Sequence, residues 1–265
     1  MLTKLETIIK NAAEIMLKMQ PKGIVSKEGH ANFVTEADKK TQDFLQEELL
    51  KLLPGSVMYG EEKENEPLDD KPTWVVDPID GTLNYIHGIG HSAVAIALAE
   101  NRQLKLACVY NPYRQELFTA EKGRGAYLNG ERISCSDTPY ERALTSFGTS
   151  PYVPGLVDAT FRAVNTLMRE TADVRRFGSA ILDLANIACG RGDIFFEYSL
   201  SPWDYAAGAL LIREAGGRFT LLNLPDDRLD FSATAAVFTS NPQCFEKGLE
   251  VVERNYREWQ KEQGR

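Results

Sequence analysis

The sequence predicts a mixed α/β fold, and three features of the chain support this. Apolar residues recur at helical spacing through much of the first fifty residues. Strand-like runs joined by short turns follow from Ser92, and such short connections are typical of an antiparallel meander. After Pro139 helices and strands alternate, which is typical of α/β layering.

The length of 265 residues suits one large domain or two tightly packed ones. Hydrophobic residues make up 43% and charged residues 26%, so wholesale disorder and a fibrous fold are excluded. The change in pattern places a soft boundary near residue 142. It divides an N-terminal α+β half, 1–142, from a C-terminal α/β half, 143–265. Because no Gly/Ser linker joins the halves, we expect them to pack rigidly.

The first half begins with two predicted helices. One runs from Leu2 to Met19 and stops before Pro21, and the second spans 36–53 and ends at Pro54. A polar, acidic loop over 61–71 follows. The short apolar run Trp74-Val75-Val76 then predicts a buried strand.

The remaining elements follow from the same patterns. The predicted strands of the meander are Ser92–Ala99, Leu104–Tyr110 and Gln115–Ala120. The predicted elements of the second half are a strand Ala143–Phe147, a helix Val157–Met168, a helix Ala180–Cys189, a strand Asp193–Glu197, a helix Trp203–Ala215, a strand Ala235–Thr239 and a helix Pro242–Trp259.

Charge and targeting signals restrict the class of protein. With 30 basic and 38 acidic residues the net charge is −8, which argues against general nucleic-acid binding. No apolar run reaches the roughly 18 residues of a membrane span, and the N-terminus carries no signal-peptide core. The four cysteines form no CxxC pair, so zinc ribbons and redox dithiols are unsupported. We therefore expect a cytoplasmic protein with free thiols and no membrane partner.

The segment Asp77-Pro78-Ile79-Asp80-Gly81 carries the least ordinary chemistry. Asp77 is expected at the end of a buried strand, where an unpaired carboxylate costs several kcal/mol unless it binds a partner or a metal. Asp80 could turn back toward it, and Gly81 would let the backbone approach a ligand closely. Two converging carboxylates would suit a hard cation such as Mg²⁺. A tight turn stabilised by Asp side chains explains the same residues equally well.

Four further acids have a functional and a structural interpretation each. Glu61 and Glu62 follow a short apolar run, either as strand-end ligands or as solvated acids opening a loop. Asp204 lies in the first turn of a helix, where it could merely complement the helix dipole. Asp38 completes the capping-box pattern begun by Thr35, and it could instead orient a general-base hydroxyl.

Several familiar motifs are absent from the sequence or fail in context. It contains no GxxxxGK[ST] phosphate loop and no GxSxG elbow. Gly88-Ile89-Gly90 imitates part of a dinucleotide fingerprint, but a strand rather than a helix is predicted after it. His87 and His91 lack a nearby cysteine to complete a zinc set.

Taken together, three segments strongly resemble the inositol monophosphatase family of lithium-sensitive, Mg²⁺-dependent sugar phosphatases. They are Gly60-Glu61-Glu62, the stretch from Trp74 to Tyr85 that contains DPIDGT, and Trp203-Asp204-Tyr205-Ala206-Ala207-Gly208. The resemblance extends from Lys27 to Gly217. It implies a layered α/β/α/β/α sandwich.

The resemblance also implies the roles of individual residues. Glu61, Asp77 and the Ile79 carbonyl would bind one Mg²⁺, and Asp77, Asp80 and Asp204 a second, with two or three ions per site. Thr82 with Asp38 would orient and activate a water, with Glu61 beside them. Gly81 and Thr82 could add backbone N–H groups for the phosphate. The residues matching the sugar-contacting positions are Gly178, Ser179, Ala180 and Glu197. Lys27 matches a lysine near a mobile metal-site loop, and Glu62 receives no direct role.

The activity implied is hydrolysis of inositol 1-phosphate by metal-activated water in a homodimeric enzyme. Arg175-Arg176 places positive charge beside the sugar pocket, so fructose 1,6-bisphosphate, NADP or a nucleotide 3′-phosphate are alternative substrates. An alternative of another class is a catalytically silent regulatory or binding protein on the same scaffold. The presence of all the expected metal-binding side chains argues against it.

Overall fold

The computed structural model describes residues 1–19, 21, 23–28, 32–62, 71–225, 229–230 and 233–264. Within these ranges the chain forms two large β-sheets, a short β-ribbon and seven α-helices. The helices are α1 (Leu2–Lys18), α2 (Glu36–Leu52), α3 (Thr82–Ile86), α4 (Leu156–Glu170), α5 (Ala180–Ala188), α6 (Pro202–Glu214) and α7 (Phe245–Glu262).

Fourteen strands lie in the described residues. Those of the first half are β1 (Val25–Glu28), β2 (Asn32–Val34), β3 (Val57–Gly60), β4 (Thr73–Asp80), β5 (Ala93–Glu100), β6 (Gln103–Asn111), β7 (Glu116–Glu121), β8 (Gly125–Leu128) and β9 (Glu131–Ile133). Those of the second half are β10 (Leu144–Phe147), β11 (Asp173–Arg175), β12 (Ile194–Leu200), β13 (Arg218–Leu221) and β14 (Ala235–Ser240).

The larger sheet has seven strands in the order of the chain, β3 to β9. Only β3 and β4 are parallel; every later neighbour is antiparallel. The predicted meander is therefore confirmed, because two- to four-residue connections leave no room for a parallel crossover. The smaller sheet has the order β11-β10-β12-β14-β13, with parallel pairs on either side of β10.

Three apolar clusters divide the molecule into five layers. The first lies between α1, α2 and one face of the larger sheet, and the third lies between the smaller sheet and α4 and α7. The middle cluster fills the space between the two sheets, around α5 and α6. The layered α/β/α/β/α sandwich implied by the resemblance is thereby confirmed.

A glycine sets the spacing within the middle layer. Helices α5 and α6 pack directly on each other. A β-carbon built on Gly208 of α6 would lie 2.4 Å from Leu184 Cδ1 and 2.5 Å from Leu184 Cβ on α5. The two helices approach this closely because Gly208 has no side chain.

The strand predicted at 74–76 is longer than expected. It runs from Thr73 to Asp80 and is buried throughout, so Asp77 lies within the strand rather than at its end. The expectation failed because Pro78, which normally breaks a ladder, sits where the pairing with β5 changes register. A proline is tolerated at such a bulge, since no ladder hydrogen bond is required there.

Several short elements escaped the sequence patterns: α3, β1, β2, β8, β9, β11 and β13. Each spans three to five residues, too few for a periodic signal. Of the predicted acidic loop, residues 63–70 lie outside the described residues. The proposed division near residue 142 falls between β9 and β10, hence between the strands of the two sheets; it stays a prediction. None of the helices in the described ranges combines the length and apolar character needed to cross a bilayer.

Candidate active site

Three carboxylates meet at one end of the larger sheet. Asp77 and Asp80 come from β4, and Asp204 comes from the first turn of α6. One oxygen from each lies within 4.8 Å of the others. Glu61 follows β3 directly, and the preceding Gly60 pairs with Val76. Because β3 and β4 are parallel, Glu61 leaves the sheet at the edge where Asp77 lies.

A bulge in β4 brings two of these acids together. Asp77 pairs with Ala95 and Asp80 with Ala93, so three steps on β4 match two on β5. In a regular strand, residues three apart point to opposite faces. The extra residue turns both carboxyl groups toward one cluster. The Ile79 N–H donates to Asp77 Oδ1 at 3.0 Å and fixes that turn.

Asp204 is held by its own helix. The Ser201 N–H donates to Asp204 Oδ2 at 2.7 Å, and the two residues form a capping box with Pro202 at the first helical position. The structural interpretation of Asp204 as a helix-start acid is therefore correct. The same side chain also belongs to the carboxylate cluster, so the structural and the functional interpretations of Asp204 are compatible.

Asp38 is likewise a capping residue that reaches the site. The Thr35 N–H and hydroxyl donate to Asp38 Oδ2 at 2.8 and 2.5 Å. Its other oxygen, Oδ1, lies 3.4 Å from the Thr82 hydroxyl. That hydroxyl also lies 3.0 Å from the Ile79 carbonyl oxygen. A single contact therefore connects α2 with the turn that follows β4.

Burial and mutual repulsion raise the pKa values of the acids. Burial, then neighbouring carboxylates, holds the pKa of Asp77 and Asp204 well above the usual range. Burial raises the pKa of Asp80 to about 7, although Ser179 and the Ile181 N–H donate to it. Burial also raises the pKa of Asp38 to about 6. An all-oxygen set of crowded, buried carboxylates fits a hard divalent cation, whose charge would relieve the repulsion.

Gly81 allows two segments to touch. Its φ is +79°, and a β-carbon there would lie 3.1 Å from the carbonyl oxygens of both Gly178 and His91. Ser92 Oγ donates to the Gly81 carbonyl, and Asn84 Nδ2 donates to the carbonyls of His91 and Phe177. These bonds hold the turn after β4 against the segment that opens α5.

A pocket of about 290 Å³ opens beside the acids. It collects residues from both sheets and from the starts of α5 and α6. Its lining includes most of the predicted site residues, namely Glu61, Asp80, Gly81, Thr82, Gly178, Ser179, Ala180, Glu197 and Asp204. Asp77 and Ile79 lie beneath it, 2% and 0% exposed, and Asp38 is also fully buried.

Glu197 is fixed on the wall opposite the acids. The Ser150 hydroxyl and N–H donate to its Oε1 at 2.9 and 3.2 Å. A β-carbon built on Gly148 would lie 1.8 Å from Glu197 Oε2. The carboxylate therefore occupies space that any other residue at 148 would take.

The two arginines predicted beside the pocket lie in different places. Arg176 lines it, and its Nη2 donates to Thr149 Oγ1 at 3.2 Å. Arg175 instead bonds Asp173 Oδ2 at 2.5 Å on the surface, and it is not among the lining residues. Only one of the two guanidinium groups is therefore available to a bound ligand.

Two predicted residues remain without a described role. Lys27 lies on β1, but its side chain lies outside the described residues. Glu62 donates its N–H to Gln42 Oε1 at 2.9 Å, which anchors the end of β3 to α2. The sequence interpretation missed several pocket residues, among them Gly148, Ser150 and Asp183. Gly148 and Ser150 follow the predicted strand Ala143–Phe147, and this position was the available signal. Asp183 lies within the predicted helix Ala180–Cys189, where an acid gives no such signal.

Comparison with known proteins gives a consistent result. The family model described as "Inositol monophosphatase family" matches residues 1–257. The chain is 43% identical to the inositol-1-monophosphatase of Rhizobium meliloti (strain 1021) over 200 residues, which cover 73% of each chain. It is 44% identical to Nus factor SuhB of Escherichia coli (strain K12) over 195 residues, or 72% of this chain and 73% of that one.

The fold agrees with a solved structure as well. The Thermotoga maritima IMPase superposes with a TM-score of 0.86 at 30% identity. The match covers 97% of this chain and 98% of that one.

Proposed function

Because the chain belongs to the inositol monophosphatase family, we propose that its phosphatase activity is directed at inositol 1-phosphate and depends on Mg²⁺. The observation that carries the proposal is the convergence of Asp77, Asp80 and Asp204 beside a pocket with a polar wall. A phosphate monoester is a dianion whose uncatalysed hydrolysis is extremely slow. A site for this dianion must therefore supply positive charge, and these acids would supply it by binding cations.

Glu61, Asp77 and the Ile79 carbonyl would hold one Mg²⁺, and Asp77, Asp80 and Asp204 a second. When bound, such ions neutralise the phosphate and lower the pKa of water. The chain itself holds the metal-binding carboxylates in position without the ions. Hydrogen bonds from Ile79, Ser201 and Ser179 hold the three aspartates in place.

The Thr82 hydroxyl and Asp38 would orient the attacking water and take its proton. Thr82 lies between the Ile79 carbonyl and Asp38 Oδ1, so Asp38 can accept the proton that Thr82 gives up. A threonine hydroxyl is too weak a base alone and needs such an acceptor. The backbone N–H groups of Gly81 and Thr82 would bind phosphate oxygens.

The sugar end of the substrate would contact Gly178, Ser179, Ala180 and Glu197. Carboxylate and hydroxyl groups on this wall suit the hydroxyls of a polyol. Arg176 favours a second candidate substrate that carries another phosphate, such as fructose 1,6-bisphosphate, NADP or a nucleotide 3′-phosphate. Arg175 adds nothing to this alternative because it pairs with Asp173.

A substrate panel at fixed Mg²⁺ tests the proposal. We expect the largest kcat/KM for inositol 1-phosphate, with phosphate release lost on chelation and restored by Mg²⁺. A larger value for a bisphosphate that Arg176→Gln selectively lowers would favour the second candidate. Some relatives carry the name Nus factor, so a regulatory protein without catalysis is the alternative of another class. Phosphate release from any sugar monophosphate would exclude it.

Two further properties follow from the family resemblance. Li⁺ at millimolar concentration, and excess Mg²⁺, should inhibit by slowing product release; inhibition that competes purely with substrate would contradict this.

We also propose a homodimer. Ile89 and Phe177, apolar side chains that are 63% and 40% exposed, support it. Sedimentation equilibrium measures the mass directly, and a monomer at micromolar concentration would refute the dimer.

A further inference from the structure

Gln42 is a buried polar side chain for which the reaction described above has no use. It lies in α2 one turn after Asp38, so the two residues share a helix face, and both are 0% exposed. The helix packs on β3 and β4. Gln42 belongs to none of the three segments that carry the family resemblance, and it does not line the pocket.

The carboxamide of Gln42 contacts the residues on both sides of Glu61. The Glu62 N–H donates to Gln42 Oε1 at 2.9 Å. A β-carbon built on Gly60 would lie 2.8 Å from the same oxygen and 3.0 Å from Gln42 Cδ. The ladder between β3 and β4 ends at Gly60, one residue before Glu61. The Gln42 side chain therefore fixes the backbone around Glu61 where the ladder stops.

A polar side chain at this position has a cost that packing alone does not explain. Gln42 Nε2 is buried and has no hydrogen-bond partner among the residues that the structure describes. An apolar side chain of similar size would fill the same space without burying an unpaired amide nitrogen. The acceptor Oε1 is the part of the amide that is used, and its partner is the backbone beside Glu61. The bond to the Glu62 N–H is thus the feature that an apolar residue could not replace.

The face of α2 that carries Gln42 also carries Asp38. Asp38 Oδ1 lies 3.4 Å from the Thr82 hydroxyl, on the turn that follows β4. Residues four apart on a helix are separated by about 6 Å along its axis and move together. Two neighbouring side chains of one rigid helix therefore reach the ends of β3 and β4, where Glu61 and Thr82 lie.

We propose that Gln42 is a positioning residue that sets the place of the Glu61 carboxylate at the cation site by holding Gly60 and Glu62. The proposal rests on the function proposed above, in which Glu61 binds one of the Mg²⁺ ions. Gln42 acts through Glu61 and touches neither the cation nor the substrate. Loss of its acceptor should therefore weaken cation binding and leave the contacts of the substrate with the opposite wall unchanged.

The experiment is a calorimetric titration of Mg²⁺ into the wild-type protein and into Gln42→Met. Methionine has nearly the same length and shape as glutamine but no oxygen to accept the Glu62 N–H. We expect the Kd for Mg²⁺ to rise about tenfold, because a residue that orients a metal-binding side chain typically contributes about 10- to 100-fold to affinity. The KM for inositol 1-phosphate at the optimal Mg²⁺ concentration should stay within about twofold.

Ser56→Ala is the matched control, because Ser56 anchors the other end of β3. The Trp74 Nε1–H donates to Ser56 Oγ at 3.1 Å, and the Ser56 hydroxyl donates to the Leu53 carbonyl oxygen at 2.6 Å. Ser56 precedes β3, whereas Glu61 follows its last residue. Both variants should lower the melting temperature, since each removes a buried hydrogen bond. Only Gln42→Met should change the Kd for Mg²⁺.

A double-variant cycle shows whether Gln42 acts through Glu61. Glu61→Gln should weaken Mg²⁺ binding, and adding Gln42→Met should change the Kd by less than about twofold, because the carboxylate that Gln42 positions is already gone. Losses that multiply would overturn the proposal. So would an unchanged Kd in Gln42→Met, or an equal loss in Ser56→Ala, and either result would make Gln42 a structural residue.

If Gln42→Met does not fold, Gln42→Leu is measured in the same way. A wild-type protein that binds Mg²⁺ and releases phosphate, but whose Kd is unaffected by Gln42→Met, would contradict the role of Gln42 alone. A wild-type protein that neither binds Mg²⁺ nor releases phosphate from inositol 1-phosphate would refute the proposed function, and the role of Gln42 with it.

Discussion

The first turns of α2 and α6 are built alike and reach the same site from opposite sides. Thr35 and Asp38 form the capping box of α2, and Ser201 and Asp204 form that of α6. In both, the N–H of the cap residue donates to Oδ2 of the aspartate, at 2.8 and 2.7 Å. The cap leaves the other carboxylate oxygen free to point elsewhere.

The two aspartates differ in what that other oxygen meets. Asp38 Oδ1 lies near the Thr82 hydroxyl, a donor. The carboxylate of Asp204 meets two other acids, Asp77 and Asp80. Capping and function are therefore not alternatives for these residues. The cap fixes one oxygen, and in the proposed mechanism the surroundings of the second oxygen decide whether the acid accepts a proton or binds a cation.

The largest expected effect tests the proton-accepting member of this pair. An asparagine oxygen at 38 can still accept from the Thr35 N–H, so Asp38→Asn should keep the capping box and the fold, but an amide cannot accept the proton. We expect kcat to fall about 10²–10⁴-fold with the Mg²⁺ dependence unchanged. Steady-state kinetics over a range of Mg²⁺ concentrations, with a thermal melt, checks both statements.

The partner of Asp38 supplies the control. Thr82→Ala should lower kcat to a similar extent, and the double variant should be scarcely worse than either single one, because the two groups act as a unit. If the two losses multiply, or if Asp38→Asn only lowers the melting temperature, the comparison fails. Asp38 would then be a cap alone.

Asp204→Asn should give the complementary result. The amide keeps the cap but removes a charge from the cluster, so the Mg²⁺ concentration for half-maximal activity should rise about 10- to 100-fold. Calorimetric titration of Mg²⁺ into Asp204→Asn and into Asp38→Asn measures the Mg²⁺ affinity of each variant without turnover. An unchanged titration for Asp204→Asn would remove it from the cation site. Asp77→Asn, in the centre of the cluster, should lose at least as much.

The pH dependence of stability sharpens the contrast further. The pKa of Asp38 is raised to about 6 and that of Asp80 to about 7, chiefly by burial. The folded chain without Mg²⁺ therefore keeps protons that the unfolded chain releases near pH 4. Its stability should fall, by about 1 kcal/mol or more, as the pH rises from about 4 to about 7. Urea unfolding across this range measures the fall, and saturating Mg²⁺ should reverse its sign.

The smallest effect separates the caps themselves. Thr35→Ala should cost up to about 2 kcal/mol, and Ser201→Ala only about 0.5 kcal/mol. The Thr35 hydroxyl bonds both the Ala37 N–H and Asp38 Oδ2, so its loss removes two contacts. Equal costs in chemical denaturation would show that the bond to Asp38 contributes nothing.

Local patterns predicted every described helix except α3, and they predicted β5 and β6, because long elements carry periodic apolar residues over eight or more positions. They also predicted the starts of α2 and α6, since a capping box is written within four residues. The convergence of Asp77 and Asp80 was foreseen as one of two possibilities. What decided it, the bulge opposite β5, depends on pairing with a separate strand, since Asp77 pairs with Ala95 and Asp80 with Ala93.

The pocket wall that contains Gly148, Glu197 and Arg176 shows which features local sequence patterns do not predict. Gly148 is required by Glu197, and the Ser150 hydroxyl donates to Glu197, but each pair is far apart in sequence. Adjacent arginines gave no sign that Arg175 would bond Asp173 while Arg176 lines the pocket. Such choices follow from tertiary packing, which a single sequence does not display.

The missing side chain of Gly208 has a consequence for how substrate preference can change over evolutionary time. Gly208 sets the separation of α5 and α6, whose first turns carry Ser179 and Asp204. Even one methyl group there would push the turn at Ser179 away from the carboxylates. The packing of Gly208 against Leu184 thus holds the turn at Ser179 at a set distance from the carboxylates. In the proposed function, that distance is the one between the phosphate and the ring of the substrate, so a change of substrate would have to preserve it.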